Sequence, residues 1–165
     1  MQFTEEILKQ IKYVILDADS LNSFQKKTKK FLKYLDKNKL ITPHRAEFHR
    51  LFPSIKTSLS NKEKVSKFLK VCKSNILLKG NTTVIGSPAK IVINKHTSSE
   101  LAVIGSGDVL AGIIASLVGD KKMSPNEAAS AATWIHGDIA KRYGRGLISE
   151  DLVKGIPSAL QRLKK

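Results

Sequence analysis

Short apolar runs alternate along the chain with stretches whose apolar residues recur at helical spacing. Residues 13–17 are apolar from Tyr13 to Leu16 and end in Asp17, the pattern of a strand buried on both faces of a parallel sheet. Residues 25–38 put Phe31, Leu32 and Leu35 on one face and predict a helix. A second strand is predicted over 39–42, ended by Pro43, and a short helix over 45–52, stopped by Pro53. Ser60 is placed to cap a helix over 61–73, which carries Val65, Phe68, Leu69 and Cys72 on its apolar side. A third strand, 75–79, ends at Gly80. The runs 82–86 and 90–94 flank Ser87, Pro88 and Ala89 as a hairpin. After a loop over 95–107, residues 108–118 read as a helix apolar on nearly every side, hence central. Ser124 and Glu127 form a capping box, with Pro125 at the first helical position, for a helix reaching Tyr143. Ser149 is expected to cap the last helix, 150–163, with Pro157 as a kink. With no repeat, low-complexity stretch or linker, the pattern predicts one α/β domain over 1–165, a mostly parallel sheet covered by helices.

Composition narrows this reading. The chain has 165 residues, 41% of them apolar and 26% charged, the balance of a folded protein rather than a disordered tail. One cysteine, Cys72, excludes an internal disulfide and a Cys-rich zinc module. No apolar run has the roughly 18 residues of a membrane span, and the N-terminus lacks the order of a signal peptide. A cytoplasmic setting without membrane contact is expected. The formal charge is +15, and residues 1–80 hold 18 Lys+Arg against 7 acids. The excess is nearly all lysine on the outer faces of helices, with few aromatics and no nucleic-acid motif. A solvated surface that steers anionic small molecules is expected, and no nucleic-acid partner.

The sharpest chemical feature is Gly105-Ser106-Gly107-Asp108 at the start of an apolar helix. Two glycines let the backbone approach a ligand, and the free N–H groups there favour a phosphate or a developing oxyanion. Asp108 stands where a general base would meet a substrate hydroxyl. A simple turn with a capping aspartate explains the same residues. Three further segments follow strand ends: Asp17 to Asn22, Thr42 to Glu47 with His44, and Lys79, Gly80, Asn81, Thr82 and Thr83. Ligands of open parallel sheets bind beyond the carboxyl ends of the strands, so all four segments can converge in one cleft. Ordinary loop chemistry is the alternative for each, and a structural histidine for His44. Asp17 and Asp19 could hold Mg²⁺ through water. His49, His96 and His136 have no ligand spacing, and His136 reads as packing or pocket lining.

Taken in order, Asp17-Ala18-Asp19-Ser20-Leu21-Asn22, Thr42-Pro43-His44 with Glu47, Lys79-Gly80 with Thr83, and Gly105-x-Gly107-Asp108-Val109-Leu110-Ala111-Gly112 resemble the ADP-dependent NAD(P)H-hydrate dehydratases. The resemblance covers nearly the whole chain. It implies a ribokinase-like three-layer α/β sandwich, N-terminally truncated, equivalent to the C-terminal two thirds of the family domain. It implies an enzyme that dehydrates hydrated NADH or NADPH with ADP (ATP in some members), releasing AMP and phosphate, with Mg²⁺ expected. By the same resemblance His44 and Asp108 contact the hydrated substrate, Asp108 beside the reacting hydroxyl. Lys79, Gly80, Asn81, Thr82, Thr83 and Gly107 hold the adenine nucleotide.

The sequence departs from the family pattern in several places. By the resemblance, the leading third of the domain, with its glycine-rich segment, is expected to lie outside these 165 residues. Arg45-Ala46 replaces Pro-Gly after the histidine, Asn81-Thr82 replaces Ala-Gly, and Leu101-Ala102-Val103-Ile104 replaces a small, glycine-rich approach to the turn. A homo-oligomer, or a partner chain that supplies the leading segment, is therefore expected. Two other readings stand beside the enzyme: a non-catalytic nucleotide-binding remnant or subunit, and a small-molecule kinase of the same fold.

Overall fold

The computed structural model describes residues 2–163. In chain order the elements are α1 (Gln2–Gln10), β1 (Val14–Leu16), α2 (Ala18–Asn22), α3 (Thr28–Leu32), β2 (Lys39–Ile41), α4 (Arg45–Leu51), α5 (Asn61–Val71), β3 (Asn75–Leu78), β4 (Thr83–Gly86), β5 (Ile91–Asn94), a 3₁₀ turn (Ser99–Leu101), α6 (Ser106–Gly119), α7 (Pro125–Tyr143) and α8 (Ser149–Arg162). The five strands lie in the order of the sequence. β1, β2 and β3 are parallel, and β4 and β5 return as antiparallel strands. Alternation along the strands divides the core in two. Ile41, Ile76, Leu78 and Val84 face a layer built by α1–α5 around Phe24, Phe31, Phe48 and Phe68. Leu40, Leu77 and Ile85 face α6–α8, with Ile113, Ile114 and the alanines of α7. The result is the expected three-layer sandwich, and it sets the carboxyl ends of β1, β2 and β3 along one rim.

Local chemistry explains most boundaries. Ser60 and Ser124 each accept from the N–H three residues on, while Glu63 and Glu127 bond back to the cap. Ser87 and Lys90 exchange backbone bonds of 2.8 and 3.3 Å across Pro88-Ala89, closing the β4–β5 hairpin. The structure departs from the expected elements at five places. The helix over 25–38 is only the short α3: Lys26 takes φ 61°, which an α-helix cannot continue, so the helix starts at Thr28, and it ends at Leu32. Residues 18–22, read as loop, form α2. The N-terminal segment forms α1, which buries Leu8 and is tied by Glu5 to Lys30 (2.6 Å) and Tyr34 (3.1 Å). Helix α6 starts at Ser106, and it is not central: only Ser106, Leu110, Ile113 and Ile114 are buried, while Gly112, Ala115, Ser116 and Gly119 are exposed. At α8 the start is one residue earlier than expected. Ile148 precedes the helix, and its N–H donates to Asp151 at 3.1 Å.

Candidate active site

The rim is fastened strand by strand. The Thr42 N–H and hydroxyl both donate to the Leu16 carbonyl, at 2.9 and 3.1 Å, joining the ends of β1 and β2. The Lys79 N–H donates to the Pro43 carbonyl at 2.9 Å, and His44 bridges Lys79 in parallel register, joining β2 to β3. Across this frame Lys79 Nζ reaches Asp17 Oδ1 at 2.7 Å. Both side chains are largely buried, 22% and 15% exposed, so the pair holds its geometry better than a surface ion pair does. Gly107 lies directly against it: a Cβ there would sit 3.4 Å from Lys79 Nζ and 3.7 Å from Asp17 Oδ2. The start of α6 is thus seated over the ends of β1 and β3.

The turn that delivers α6 needs its first glycine. Gly105 has φ 81°, and a Cβ on it would meet the Ser149 side chain at 3.0 Å. Beyond it the N–H groups of Gly107 and Asp108 have no protein partner among the described residues, as expected in a first helical turn. Asp108 is exposed. Behind the turn His136 of α7 is buried, its Nε2 3.1 Å from the Ser106 carbonyl and 3.2 Å from the Ser106 hydroxyl. Burial pulls the imidazole down to about 4, against the smaller opposing effect of the bond to Ser106. A neutral ring that donates Nε2–H to the Ser106 carbonyl therefore props up the turn.

The loop after β3 is prepared in a complementary way. The Gly80 carbonyl accepts from the Thr83 hydroxyl (3.2 Å), the Asn81 carbonyl from the Thr97 hydroxyl (3.2 Å), and the Thr82 carbonyl from Asn61 Nδ2 (2.8 Å). The N–H groups of Gly80, Asn81 and Thr82 make no hydrogen bond among the described residues, and all three residues are exposed. A loop with bonded carbonyls and open N–H groups suits an anion.

His44 has a structural task of its own. Nδ1 accepts from the N–H of Ala46 (3.1 Å) and Glu47 (3.3 Å), and Glu47 Oε2 accepts from the His44 N–H at 2.7 Å. Nδ1 is thereby occupied, and Nε2, 3.5 Å from Glu47 Oε1, carries the proton. The ring remains half-exposed beside the rim. Asp17 is engaged by Lys79, and Asp19 is exposed and faces Asn22 at 3.5 Å, so the two do not form a cation site. No group of three His, Cys, Asp or Glu side chains gathers in a metal-binding arrangement among the described residues. The donor set fits a Mg²⁺ ion carried by the phosphates of a nucleotide, not one caged by the chain. Among the histidines without ligand spacing, His96 stacks on Trp134 with ring centroids 5.3 Å apart. The Asp17 partner of Lys79, the Asn61 brace and the Ser106–His136 contact carry no signal in sequence spacing.

The NAD(P)H-hydrate dehydratase family, also called Carb_kinase, matches residues 1–158. The chain belongs to that family. It is 37% identical over 134 residues to the ADP-dependent (S)-NAD(P)H-hydrate dehydratase of Neisseria meningitidis, covering 78% of this chain and 45% of that protein. It is 32% identical over 165 residues to the bifunctional NAD(P)H-hydrate repair enzyme Nnr of Archaeoglobus fulgidus, covering 99% of this chain and 32% of that one. The chain thus spans less than half the length of these curated relatives. The fold matches the ADP/ATP-dependent NAD(P)H-hydrate dehydratase of Bacillus subtilis, crystallised with ATP/Mg²⁺ and soaked with CoA, with TM-score 0.76 and 23% identity over 98% of this chain and 62% of that one. It also matches the hydroxyethylthiazole kinase of Pyrococcus horikoshii, with TM-score 0.71 and 16% identity over 98% and 64%. The ribokinase-like architecture of this dehydratase family therefore stands.

Proposed function

We propose that this chain carries out ADP-dependent dehydration of hydrated NADH or NADPH, a repair of damaged nicotinamide nucleotide in the cytoplasm. The observation that carries the reading is the packing of Gly107 on the Asp17–Lys79 ion pair, which sets the free N–H groups of α6 beside the loop of Lys79, Gly80, Asn81, Thr82 and Thr83. These residues hold the nucleotide phosphates, with Lys79 as the cation, and a bound Mg²⁺ would screen the charge of those phosphates. Asp108 takes the proton of the substrate hydroxyl as its oxygen attacks the terminal phosphoryl of ADP, and AMP leaves. The Gly107 and Asp108 N–H groups offset charge on the moving phosphoryl. Cleavage of the ring C–O bond of the new phosphate ester releases inorganic phosphate, and loss of a proton from the adjoining ring carbon restores the double bond of the dihydronicotinamide. His44, with Nε2–H exposed at the rim, contacts the hydrated substrate.

The reading includes a second polypeptide, another copy or a chain that supplies further strands. Support comes from β1, which is an open edge of the sheet, and from a groove of about 600 Å³ beside it lined by Ile7, Ile11, Tyr13, Ile15, Val118 and Met123. Unpaired edges and large apolar grooves are characteristically covered by a partner. Light scattering is expected to give a mass above that of a monomer. A monodisperse monomer with a sharp cooperative melt would remove the partner from the reading.

One observation favours a non-catalytic nucleotide-binding module. Ile104 is 98% exposed next to the turn, and Asp108 beyond it is exposed as well, so the substrate side of the site is open. Two measurements separate the readings. Calorimetry should show ADP binding, and its absence in a folded sample would sink both. Recovery of NADH absorbance from hydrated NADH with ADP should fall by about 10²–10⁴ in Asp108→Asn while ADP still binds. An equal rate in the variant would remove Asp108 from catalysis, and a parent that binds ADP without turnover would move the reading to the binding module.

A further inference from the structure

A second cluster of cations lies next to the loop of Lys79, on the facing sides of α4 and α5. Arg45 and His49 are four residues apart on α4, and Asn61 and Lys64 three apart on α5, so each pair shares a helix face. Arg45 Nε donates to Asn61 Oδ1 at 3.0 Å, and Asn61 Nδ2 donates to the Thr82 carbonyl at 2.8 Å, which ties the cluster to the nucleotide loop. Lys64 is only 1% exposed, yet its ammonium makes no hydrogen bond or ion pair among the described residues. His49 Nδ1 is likewise buried without a partner.

The nearby carboxylates are bonded elsewhere, and only Glu63 acts on Lys64, through its charge. Glu47 is bound to the His44 N–H at 2.7 Å, and Glu63 to the Ser60 N–H and hydroxyl at 2.8 and 2.6 Å, each in its own capping box. Burial first, and then the Arg45 charge, pull the Lys64 ammonium below its ordinary value against the opposing charge of Glu63, while burial and the Lys64 charge lower the His49 imidazole against the opposing effect of the Ile55 backbone. An ammonium with no protein partner among the described residues, on a residue almost wholly buried and beside a guanidinium, is stabilised when an anion completes it.

We propose that Arg45, Lys64 and His49 form a binding site for a phosphate group between α4 and α5, beside the loop of Lys79. Neighbouring cationic donors whose nearest carboxylates are held in capping boxes suit a dianion with several acceptor oxygens, and the planar fork of Arg45 suits phosphate. The site does not rest on turnover, and a chain without dehydratase activity would still show it.

The test compares the parent with Lys64→Met and Arg45→Ala, using inorganic phosphate, NADP⁺ and NAD⁺ at matched ionic strength. In the parent the His49 ring resonances should shift saturably, and Tm should rise by roughly 3–5 °C per tenfold of ligand above half-saturation. Both responses should be lost in both variants, and Lys64→Met should melt higher than the parent in phosphate-free buffer, since the unpaired charge is gone. A response to inorganic phosphate identifies free phosphate as the ligand. A response to NADP⁺ but not to NAD⁺ or inorganic phosphate identifies a phosphate carried on the nucleotide. Should Lys64→Met fail to fold, Arg45→Ala, altered at an exposed residue, decides alone. No His49 shift in the parent with any of the ligands, or an unchanged shift in Arg45→Ala, overturns the proposal.

Discussion

His136 makes the turn of Gly105 and Gly107 sensitive to acid. Its folded value of about 4 lies below the 6.5 of an unperturbed imidazole. Between those values the unfolded chain binds the extra proton, so stability rises with pH across that window. The contribution is complete above pH 6.5, declines as pH falls, and is lost by pH 4. The full span is worth about 3 kcal/mol, and about 2.5 kcal/mol of it should be gone at pH 4.5. His136→Gln removes the titration while its amide can still donate to the Ser106 carbonyl. Urea denaturation of both proteins at pH 7.5 and pH 4.5 isolates the effect, because every other titrating group, the depressed His49 included, acts alike in the two chains. The parent should lose about 2–3 kcal/mol more than the variant between the two pH values. Equal losses would show that His136 is not held neutral by burial, and the account of the turn would fail with it.

Three further outcomes follow from particular contacts. A Cβ on Gly137 would sit 1.8 Å from the His96 carbonyl oxygen, so Gly137→Ala must displace the segment after β5 and should cost about 3 kcal/mol or more by urea denaturation. Burial pushes the Asp138 carboxyl up, but the bonds from Arg162 and Arg142 outweigh it and hold the group below its ordinary 3.8, so its stabilisation is present above that value and fades as pH falls through the lower one. Asp138→Asn should therefore cost about 2 kcal/mol at pH 7, with the difference from the parent shrinking below pH 4 in a pH series of melts. Gly107→Ala adds a methyl at ordinary contact distance from Lys79 and Asp17, so it should fold normally yet weaken ADP by tenfold or more in calorimetry, the methyl intruding where the phosphate approaches.

Much of the fold was legible because its determinants are local. The capping boxes at Ser60 and Ser124, the proline stops at Pro43 and Pro53 and the apolar runs of β1–β3 each act within a few residues of where they sit. The misreadings arose where a longer-range contact overrode a local preference. The amphipathic stretch over 25–38 has the periodicity of one helix, but Phe24 and Phe31 stack at 4.7 Å in the core, and the backbone meets that demand by turning at Lys26. The site divides in the same way. The glycine turn, the loop of Lys79 and the segment with His44 were visible as motifs. The Asp17–Lys79 pair spans 62 positions and is brought together only by the sheet, which sets the ends of β1 and β3 on one rim on either side of β2. His136 offered no clue to its task, since the Ser106 carbonyl it serves lies 30 residues earlier.

Helix α6 joins the readings of fold and function. Its sequence is apolar around nearly the whole circumference, a composition suited to a helix covered on more than one side. In the structure α7 and α8 cover one side, and the other presents Gly112, Ala115, Ser116 and Gly119 toward solvent. Small residues of this kind let a neighbouring backbone approach closely. The apolar groove between α6 and the free edge of β1, with Ile11 and Tyr13 each about half exposed, continues the same surface. The starting turn of that helix carries Asp108, whose substrate side is also open. One covering element laid along α6 and β1 would close the groove, satisfy the edge and wall the side of the site where the hydroxyl must be held.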